Sequence, residues 1–235
     1  MKALISKGGR VIDSSPMYGR SEGVVGDLAG DLGIADALFM ATKVWTSGRQ
    51  AGIDQMEQSM RRMSKSPMDL MQIHNLVDWK THMPTLIDWK KKGKIRYIGI
   101  THYIESAYGN MEQIMKNYPI DFIQLNYAIT SRAAENSILP LARDKGIAVL
   151  INRPYQGGAL FRKTRGRQLP GWSASFDCNS WGQFFLKYIL SNKAVTCVIP
   201  GTSKPHHMID NLGAGLGELP DEMTRKKMVR FVDDL

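Results

Sequence analysis

The feature that most constrains this chain is an alternation of short apolar strands with helices. Apart from a longer gap before the last strand, strand patterns begin roughly every 25 to 30 residues. The predicted strands cover residues 10–13, 37–43, 69–74, 95–100, 120–126, 147–152 and 195–199, and the predicted helices cover residues 21–32, 52–63, 82–92, 106–116, 135–145 and 180–191. This repeat predicts βαβ units, a parallel sheet and an α/β fold within one domain over residues 1–235.

Three of the predicted strands end in a polar side chain that can take part in chemistry. Asp13 ends the first strand and is followed by Tyr18 in the next turn, Lys43 ends the second strand, and His74 ends the third. Each residue alone has an ordinary explanation, as a turn acid, a loop aromatic, a surface charge or a structural histidine. Because parallel strands end at a common edge, we expect all four side chains to meet there.

The local contexts IDSSPMYG, ATKVW and MQIHN resemble those of the aldo-keto reductases, and the resemblance runs through all 235 residues. Those enzymes are (β/α)8 barrels of the TIM type that transfer a hydride between a nicotinamide cofactor and a small-molecule carbonyl substrate. The resemblance implies that Tyr18 donates a proton and that Lys43 lowers the pKa of Tyr18. It also implies that Asp13 holds Lys43 and that His74 orients the substrate oxygen.

The resemblance further implies a cofactor, NADP(H) by preference and NAD(H) as the alternative. Gln124 matches the glutamine that holds the nicotinamide amide, and Thr101 and His102 stand where Ser-Asn is usual. Where the family commonly has an aromatic residue that stacks on the nicotinamide ring, this chain has Asn152, Arg153 and Pro154. Stacking on that ring is therefore either lost or provided by Tyr155 or Tyr127. The implied pyrophosphate loop and adenosine site consist of Gly157, Gly158, Pro200, Gly201, Thr202, Ser203, Lys204, His207, Asp210 and Asn211.

The adenosine-end stretch, residues 199–211, also has a physical basis for binding an anion. Thr202, Ser203 and Lys204 come just before a predicted helix N-terminus with Pro205 at its first position. His207 stands where the family often has an arginine for the 2′-phosphate, and Lys204 is the candidate substitute. The alternative explanation of this stretch is an ordinary capped helix.

The chain departs from the family pattern at its start, because the family places one more strand and most of a helix before residue 1. The expected fold is therefore a TIM-type barrel truncated at its N-terminus to about seven strands. Open strand edges favour association with another copy, so an oligomer is an open alternative. The departure also keeps two other functions open: a catalytically inactive binding module and a truncated relative without function.

Composition excludes several other classes of protein. The net charge of +9 favours anionic partners, but the basic residues are scattered and no nucleic-acid recognition motif accompanies them. We expect no membrane span, no disulfide framework from Cys178 and Cys197, and no metal site. These features favour a cytoplasmic protein and leave open an export signal upstream of residue 1. Candidate apolar walls of the substrate pocket are Trp45, Trp79, Tyr103 and Trp172.

Overall fold

The computed structural model describes residues 1–235 and contains seven β-strands and ten α-helices. The strands are β1 (Val11–Asp13), β2 (Phe39–Val44), β3 (Met68–Ile73), β4 (Ile95–Thr101), β5 (Phe122–Asn126), β6 (Ala148–Asn152) and β7 (Cys197–Val198). The helices are α1 (Lys2–Ser6), α2 (Ser21–Asp31), α3 (Arg49–Arg62), α4 (Trp79–Lys91), α5 (Tyr108–Asn117), α6 (Ile138–Asp144), α7 (Ala159–Lys163), α8 (Trp181–Leu190), α9 (Pro205–Gly213) and α10 (Glu222–Asp233). The chain divides into two compact units, residues 1–102 with 109–124 and residues 103–108 with 125–235. The expectation of one domain over the whole chain stays a prediction.

In the first unit, strands β1 to β5 follow one another in chain order and each runs parallel to the next. Every residue of β3 is buried, which explains its nearly continuous apolar run, because a parallel strand is covered on both faces. The register places Lys43 opposite Gln72 and Thr101 opposite Gln124. The carboxyl ends of these strands therefore lie along one edge and bring their polar side chains together.

Close helix packing in the first unit depends on a glycine. A Cβ atom added to Gly26 of α2 would lie 2.2 Å from the carbonyl oxygen of Arg62, the last residue of α3. Because that contact is with backbone, no side-chain rotation could relieve it. The absence of a side chain at residue 26 is thus what allows α2 and α3 to approach.

In the second unit, β6 and β7 are parallel, with Ile151 opposite Val198. Helix α8 is buried on nearly all sides, and the Ser180 hydroxyl caps it by accepting a hydrogen bond from Gln183 N at 3.0 Å. Aromatic side chains on α8 and packed against it make up much of the core of this unit, namely Trp172, Phe176, Trp181, Phe184, Phe185 and Phe231. The sequence pattern of α8, apolar nearly all round, is explained by this enclosed position.

A hydrogen-bonded group that we term the Glu135 cluster, comprising Glu135, Tyr127, Tyr188 and Arg225, fastens helix α10. Glu135 Oε1 accepts hydrogen bonds from the Tyr127 hydroxyl, from the Tyr188 hydroxyl at 2.9 Å and from Arg225 Nη2 at 2.7 Å. The Arg225 guanidinium also lies 4.2 Å from the Tyr188 ring centroid and donates to the Tyr188 carbonyl. One arginine of α10 thus satisfies groups from α8 and from the segment before α6.

The structure confirms the seven predicted strands and the six predicted helices, with differences at two places. Strand β7 has two residues rather than five, and the longer gap before it contains the short helix α7 in addition to α8. The last helix, α10, is capped by Asp221, which accepts from Thr224 N at 2.7 Å. Cys178 and Cys197 are both free thiols. None of the helices combines the length and the apolar character that crossing a bilayer requires.

Candidate active site

Four side chains of the first unit meet at the carboxyl end of its strands, as the strand ends suggested. Lys43 Nζ lies 2.5 Å from Asp13 Oδ2 and also donates to the Ser14 carbonyl at 2.8 Å. The same ammonium is 5.3 Å from the centroid of the Tyr18 ring, and that ring is 6.0 Å from the His74 ring, centroid to centroid. A phenol, an ammonium, a carboxylate and an imidazole therefore share one small region.

Asp13 is the fixed centre of this group. Its Oδ1 atom accepts hydrogen bonds from Gln72 Nε2 at 2.8 Å and from Gln124 Nε2 at 3.0 Å, while Oδ2 faces Lys43. Both carboxylate oxygens are thus satisfied by donors, which is what a buried charge requires. The sequence reasoning missed Gln72. The available signal was a polar amide within a strand whose neighbours are apolar.

Tyr18 lies in the turn after β1 and is 47% exposed. Its position is set by backbone hydrogen bonds, from Tyr18 N to the Ser15 carbonyl at 3.0 Å and from Ser21 N to the Tyr18 carbonyl at 3.2 Å. The expectation that Lys43 lowers the pKa of Tyr18 is wrong for this structure. Partial burial and the negative charge of Asp13 raise the pKa of the Tyr18 phenol. The physical reason is that burial disfavours the charged phenolate and that the nearby Asp13 carboxylate disfavours a second negative charge.

His74 follows β3 directly and is almost completely buried. Burial and the neighbouring Lys43 charge lower the pKa of His74 to about 4, Asp13 acts in the opposite direction, and His102 adds a smaller lowering effect. The imidazole is therefore neutral near pH 7. The Trp45 ring lies 6.3 Å from the His74 ring, so this predicted pocket wall does border the site.

The residues expected near a nicotinamide occupy the adjoining strand ends. The Thr101 hydroxyl is buried and accepts a hydrogen bond from Asn75 N at 3.1 Å, and His102 N donates to the Gln124 carbonyl at 2.9 Å. Burial also lowers the pKa of His102. The Gln124 amide nitrogen faces Asp13 and Gln72, which leaves its carbonyl oxygen as the polar group without a hydrogen bond in the protein.

In the second unit, Asn152, Arg153 and Pro154 lie at the end of β6. The Arg153 guanidinium stacks on the Tyr103 ring at 4.4 Å, beside a cavity of about 160 Å³ that Tyr103 and Arg153 both line. Tyr127 is completely buried within the Glu135 cluster, so it is not available to stack on a nicotinamide. Gly157 and Gly158 follow with φ of +61° and +86°, a backbone that glycine adopts without strain.

The segment between β7 and α9 carries the remaining predicted cofactor residues. Pro200, Gly201, Thr202 and Ser203 lead to Lys204, and the Thr202 hydroxyl accepts from Lys204 N at 3.1 Å. Pro205 is the first residue of α9, as expected, and Lys204 and His207 are exposed at this helix N-terminus.

Further along α9, Asp210 and Asn211 are already engaged within the protein. Asp210 accepts from the Ser180 hydroxyl at 2.7 Å and from Gln183 Nε2 at 2.9 Å. Asn211 Oδ1 accepts from the Tyr155 hydroxyl at 2.6 Å. Both side chains therefore also fix α9 against α8 and the β6–α7 loop.

Two of the four predicted pocket walls pack against other aromatic side chains of their own units. Trp79 packs edge-on against Tyr118 at 5.2 Å within the first unit. Trp172 belongs to the aromatic core around α8, where its ring centroid lies 5.8 Å from that of Phe184. Their side chains serve ordinary packing, because aromatic residues supply large buried areas.

Parallel strands, alternating helices and a Tyr-Lys-Asp-His group at the strand ends define the class of protein, an α/β protein of the TIM-barrel type. The model of the aldo/keto reductase family matches residues 1–227, and the chain belongs to this family. An uncharacterised oxidoreductase of Schizosaccharomyces pombe, C215.11c, is 30% identical over 171 residues, which cover 72% of this chain and 54% of that protein. The chain spans about half the length of the first curated relatives that it matches.

Solved structures support the same fold. The holo form of aldo-keto reductase AKR11C1 from Bacillus halodurans superposes with a TM-score of 0.78 at 22% identity, covering 99% of this chain and 84% of that one. An aldo/keto reductase from Klebsiella pneumoniae in complex with NADP and acetate gives a TM-score of 0.75 at 20% identity, with coverage of 98% and 83%. The chain therefore has the TIM-barrel-type fold of these reductases, with seven parallel strands.

Proposed function

We propose that this protein reduces the carbonyl group of an aldehyde or ketone to an alcohol, with hydride from NADPH and a proton from Tyr18. The observation that carries the proposal is the contact group in which Lys43, paired with Asp13 at 2.5 Å, lies beside the Tyr18 ring and close to His74. Acid–base chemistry and polarisation of a carbonyl need these side chains within reach of one oxygen atom.

Because the pKa of Tyr18 is raised, its phenol stays protonated near neutrality and can serve as the proton donor. When hydride reaches the carbonyl carbon, the oxygen becomes an alkoxide, a much stronger base than a phenolate. Proton transfer from Tyr18 to that oxygen is then favourable, and Lys43 stabilises the phenolate that forms. Because Tyr18 is half exposed, solvent can return a proton to the phenolate. Each carbonyl reduced then consumes one hydride and one proton in total.

His74 complements Tyr18 by binding the same oxygen. Its pKa of about 4 keeps it neutral, so it acts as a hydrogen-bond donor rather than as a second acid. A neutral donor placed in a buried, water-poor corner stabilises the charge that develops on the oxygen as hydride arrives. Trp45, beside His74, supplies an apolar surface for the rest of the substrate.

The residues present fit a nicotinamide cofactor, which supplies the hydride when bound. Gln124 Oε1 is ready to accept from a carboxamide, and the Thr101 hydroxyl keeps its own hydrogen to donate. In the second unit, Gly157 and Gly158 provide a backbone without side chains, and the exposed N-terminus of α9 suits a phosphate. Lys204 and His207 at that terminus favour NADP(H) over NAD(H), because the 2′-phosphate adds negative charge there.

Two assays on the purified chain test the proposal. NADPH fluorescence reports cofactor binding, and loss of NADPH absorbance with para-nitrobenzaldehyde reports turnover. We expect Tyr18→Phe to remove most turnover and leave NADPH affinity nearly unchanged, because the hydroxyl acts in the chemical step. Tyr118→Phe makes the same change at a partly exposed tyrosine of the first unit that packs against Trp79, and it serves as the matched control.

The alternatives have their own outcomes in the same assays. NADPH binding with a wild-type rate equal to that of Tyr18→Phe would mean a non-catalytic binding module. No fluorescence change at high NADPH concentration would reject both the enzyme and the binding module.

A further inference from the structure

Ser15, which is not among the four residues described above, contacts His74 directly. Its side chain is completely buried, and Ser15 Oγ lies 3.0 Å from His74 Nδ1. The same oxygen accepts a hydrogen bond from Met17 N at 3.3 Å. Ser15 also accepts the Tyr18 backbone hydrogen bond at its carbonyl, so one residue touches both of the groups that face the substrate oxygen.

Counting hydrogens decides the direction of the bond between Ser15 and His74. A serine hydroxyl has one hydrogen to donate, and a neutral imidazole carries a hydrogen on only one of its two nitrogens. If Ser15 donates to Nδ1, its hydrogen is used and its lone pair still accepts from Met17 N. If Nδ1 donated instead, the buried hydroxyl hydrogen would have no acceptor, which is unfavourable away from water. The first arrangement satisfies the Ser15 hydroxyl and His74 Nδ1 together, and the second does not.

We infer that Ser15 is a positioning residue that holds His74 in the tautomer with its hydrogen on Nε2, the nitrogen that makes no hydrogen bond within the protein. Nε2 can then donate to a carbonyl oxygen. The inference rests on the proposed function for its consequence in catalysis, but the tautomer itself is a property of the chain alone.

The surroundings of His74 make the tautomer matter. An imidazolium donates from both nitrogens and needs no selection, whereas a neutral ring donates from one. The charged and titratable groups that face His74 are Lys43, Asp13, His102 and Tyr18. Burial, Lys43 and His102 favour the neutral ring and outweigh Asp13, which favours the charged one. Pro16 restricts Ser15 to extended backbone, which steadies the direction of its hydroxyl.

The test measures the tautomer by nuclear magnetic resonance of isotope-labelled imidazole nitrogens near pH 7, with His74→Gln to assign the signal. We expect hydrogen on Nε2 in the wild type, the same state in Ser15→Thr, and a mixture of both tautomers in Ser15→Ala. Ser59→Ala is the matched control, because Ser59 is a buried serine of the same unit whose hydroxyl has no hydrogen-bond partner. It should leave the His74 signal unchanged.

Kinetics supply the second readout. With para-nitrobenzaldehyde, kcat should fall about fivefold in Ser15→Ala, the equivalent of one net hydrogen bond, and recover in Ser15→Thr, while the KM for NADPH stays constant. Hydrogen on Nδ1 in the wild type would overturn the inference, and that measurement needs no variant to fold. An unchanged tautomer in folded Ser15→Ala would overturn it as well. If no aldehyde is reduced but the tautomer depends on Ser15, the proposed function fails and the inference about His74 stands.

Discussion

Replacing Lys43 with methionine would leave the Asp13 carboxylate buried without its cationic partner. The ammonium is completely buried and the carboxylate nearly so, at 2.5 Å from each other. Breaking such a pair costs about 3 to 5 kcal/mol, because the remaining charge stays out of water. The Gln72 and Gln124 amides still donate to Asp13 Oδ1, so we expect a loss near the lower end, about 3 kcal/mol.

The double-mutant cycle separates this pairing from ordinary packing. Asp13→Asn alone leaves the buried ammonium without its anionic partner, whereas Asp13→Asn with Lys43→Met removes both charges. The double variant should therefore lose about 2 kcal/mol less free energy of unfolding than the sum of the two single losses. Urea unfolding followed by tryptophan fluorescence measures each free energy of unfolding. Lys92→Met provides the control: Lys92 and Asp88 are 2.8 Å apart but largely exposed, and their loss should change stability little.

A coupling between residues 13 and 43 below about 0.5 kcal/mol would refute the reasoning, because contacting buried charges must couple more strongly than that. So would a Lys43→Met variant as stable as the wild type. Lys43→Met, alone or together with Asp13→Asn, should lack turnover with para-nitrobenzaldehyde, because both variants remove the ammonium beside the Tyr18 ring. Lys92→Met should keep its turnover.

Two further predictions concern helix packing and pH. Gly26→Ala should lower the free energy of unfolding by about 1 to 3 kcal/mol, because its Cβ would meet the Arg62 carbonyl. Gly30→Ala in the same helix meets no other atom and should raise the free energy of unfolding slightly, because alanine favours the helix more than glycine does. Urea unfolding of both variants tests these opposite signs. The pKa of His74 is lowered from its ordinary 6.5 to about 4, so below pH 6.5 the unfolded chain takes up that proton first and stability should fall between pH 6.5 and about 4. His74→Gln should flatten this part of the stability curve, and an equally steep fall in that variant would contradict the assignment.

The sequence was sufficient for the parts of the site that depend on topology. Asp13, Lys43 and His74 each end or follow a strand, and parallel pairing is enough to bring strand ends together. The resemblance to the aldo-keto reductases added Tyr18, whose position depends on a turn rather than on a strand. The strand and helix pattern located the seven strands for the same reason, since burial on both faces leaves a clear apolar run.

Other parts depended on distances that no local pattern encodes. Gln72 could be recognised as a polar residue in a buried strand. Its hydrogen bond to Asp13, however, follows from the strand register, which sets Gln72 opposite Lys43. The pKa of Tyr18 was predicted in the wrong direction, because the outcome depends on how far the phenol is buried and how close it lies to Asp13, neither of which the sequence shows. Ser15 was passed over as a turn residue, although its hydroxyl is buried against His74.

The Glu135 cluster bears on how the chain is made. Arg225 lies 90 residues after Glu135, 98 after Tyr127 and 37 after Tyr188, so during synthesis the carboxylate and both tyrosine hydroxyls leave the ribosome before the guanidinium that joins them. Until that late arrival, these groups must be hydrated or held by other partners, and helix α8 lacks its final neighbour. A nascent chain halted shortly before residue 225 should therefore be a favoured substrate for chaperones and proteases, whereas one released a few residues later can close.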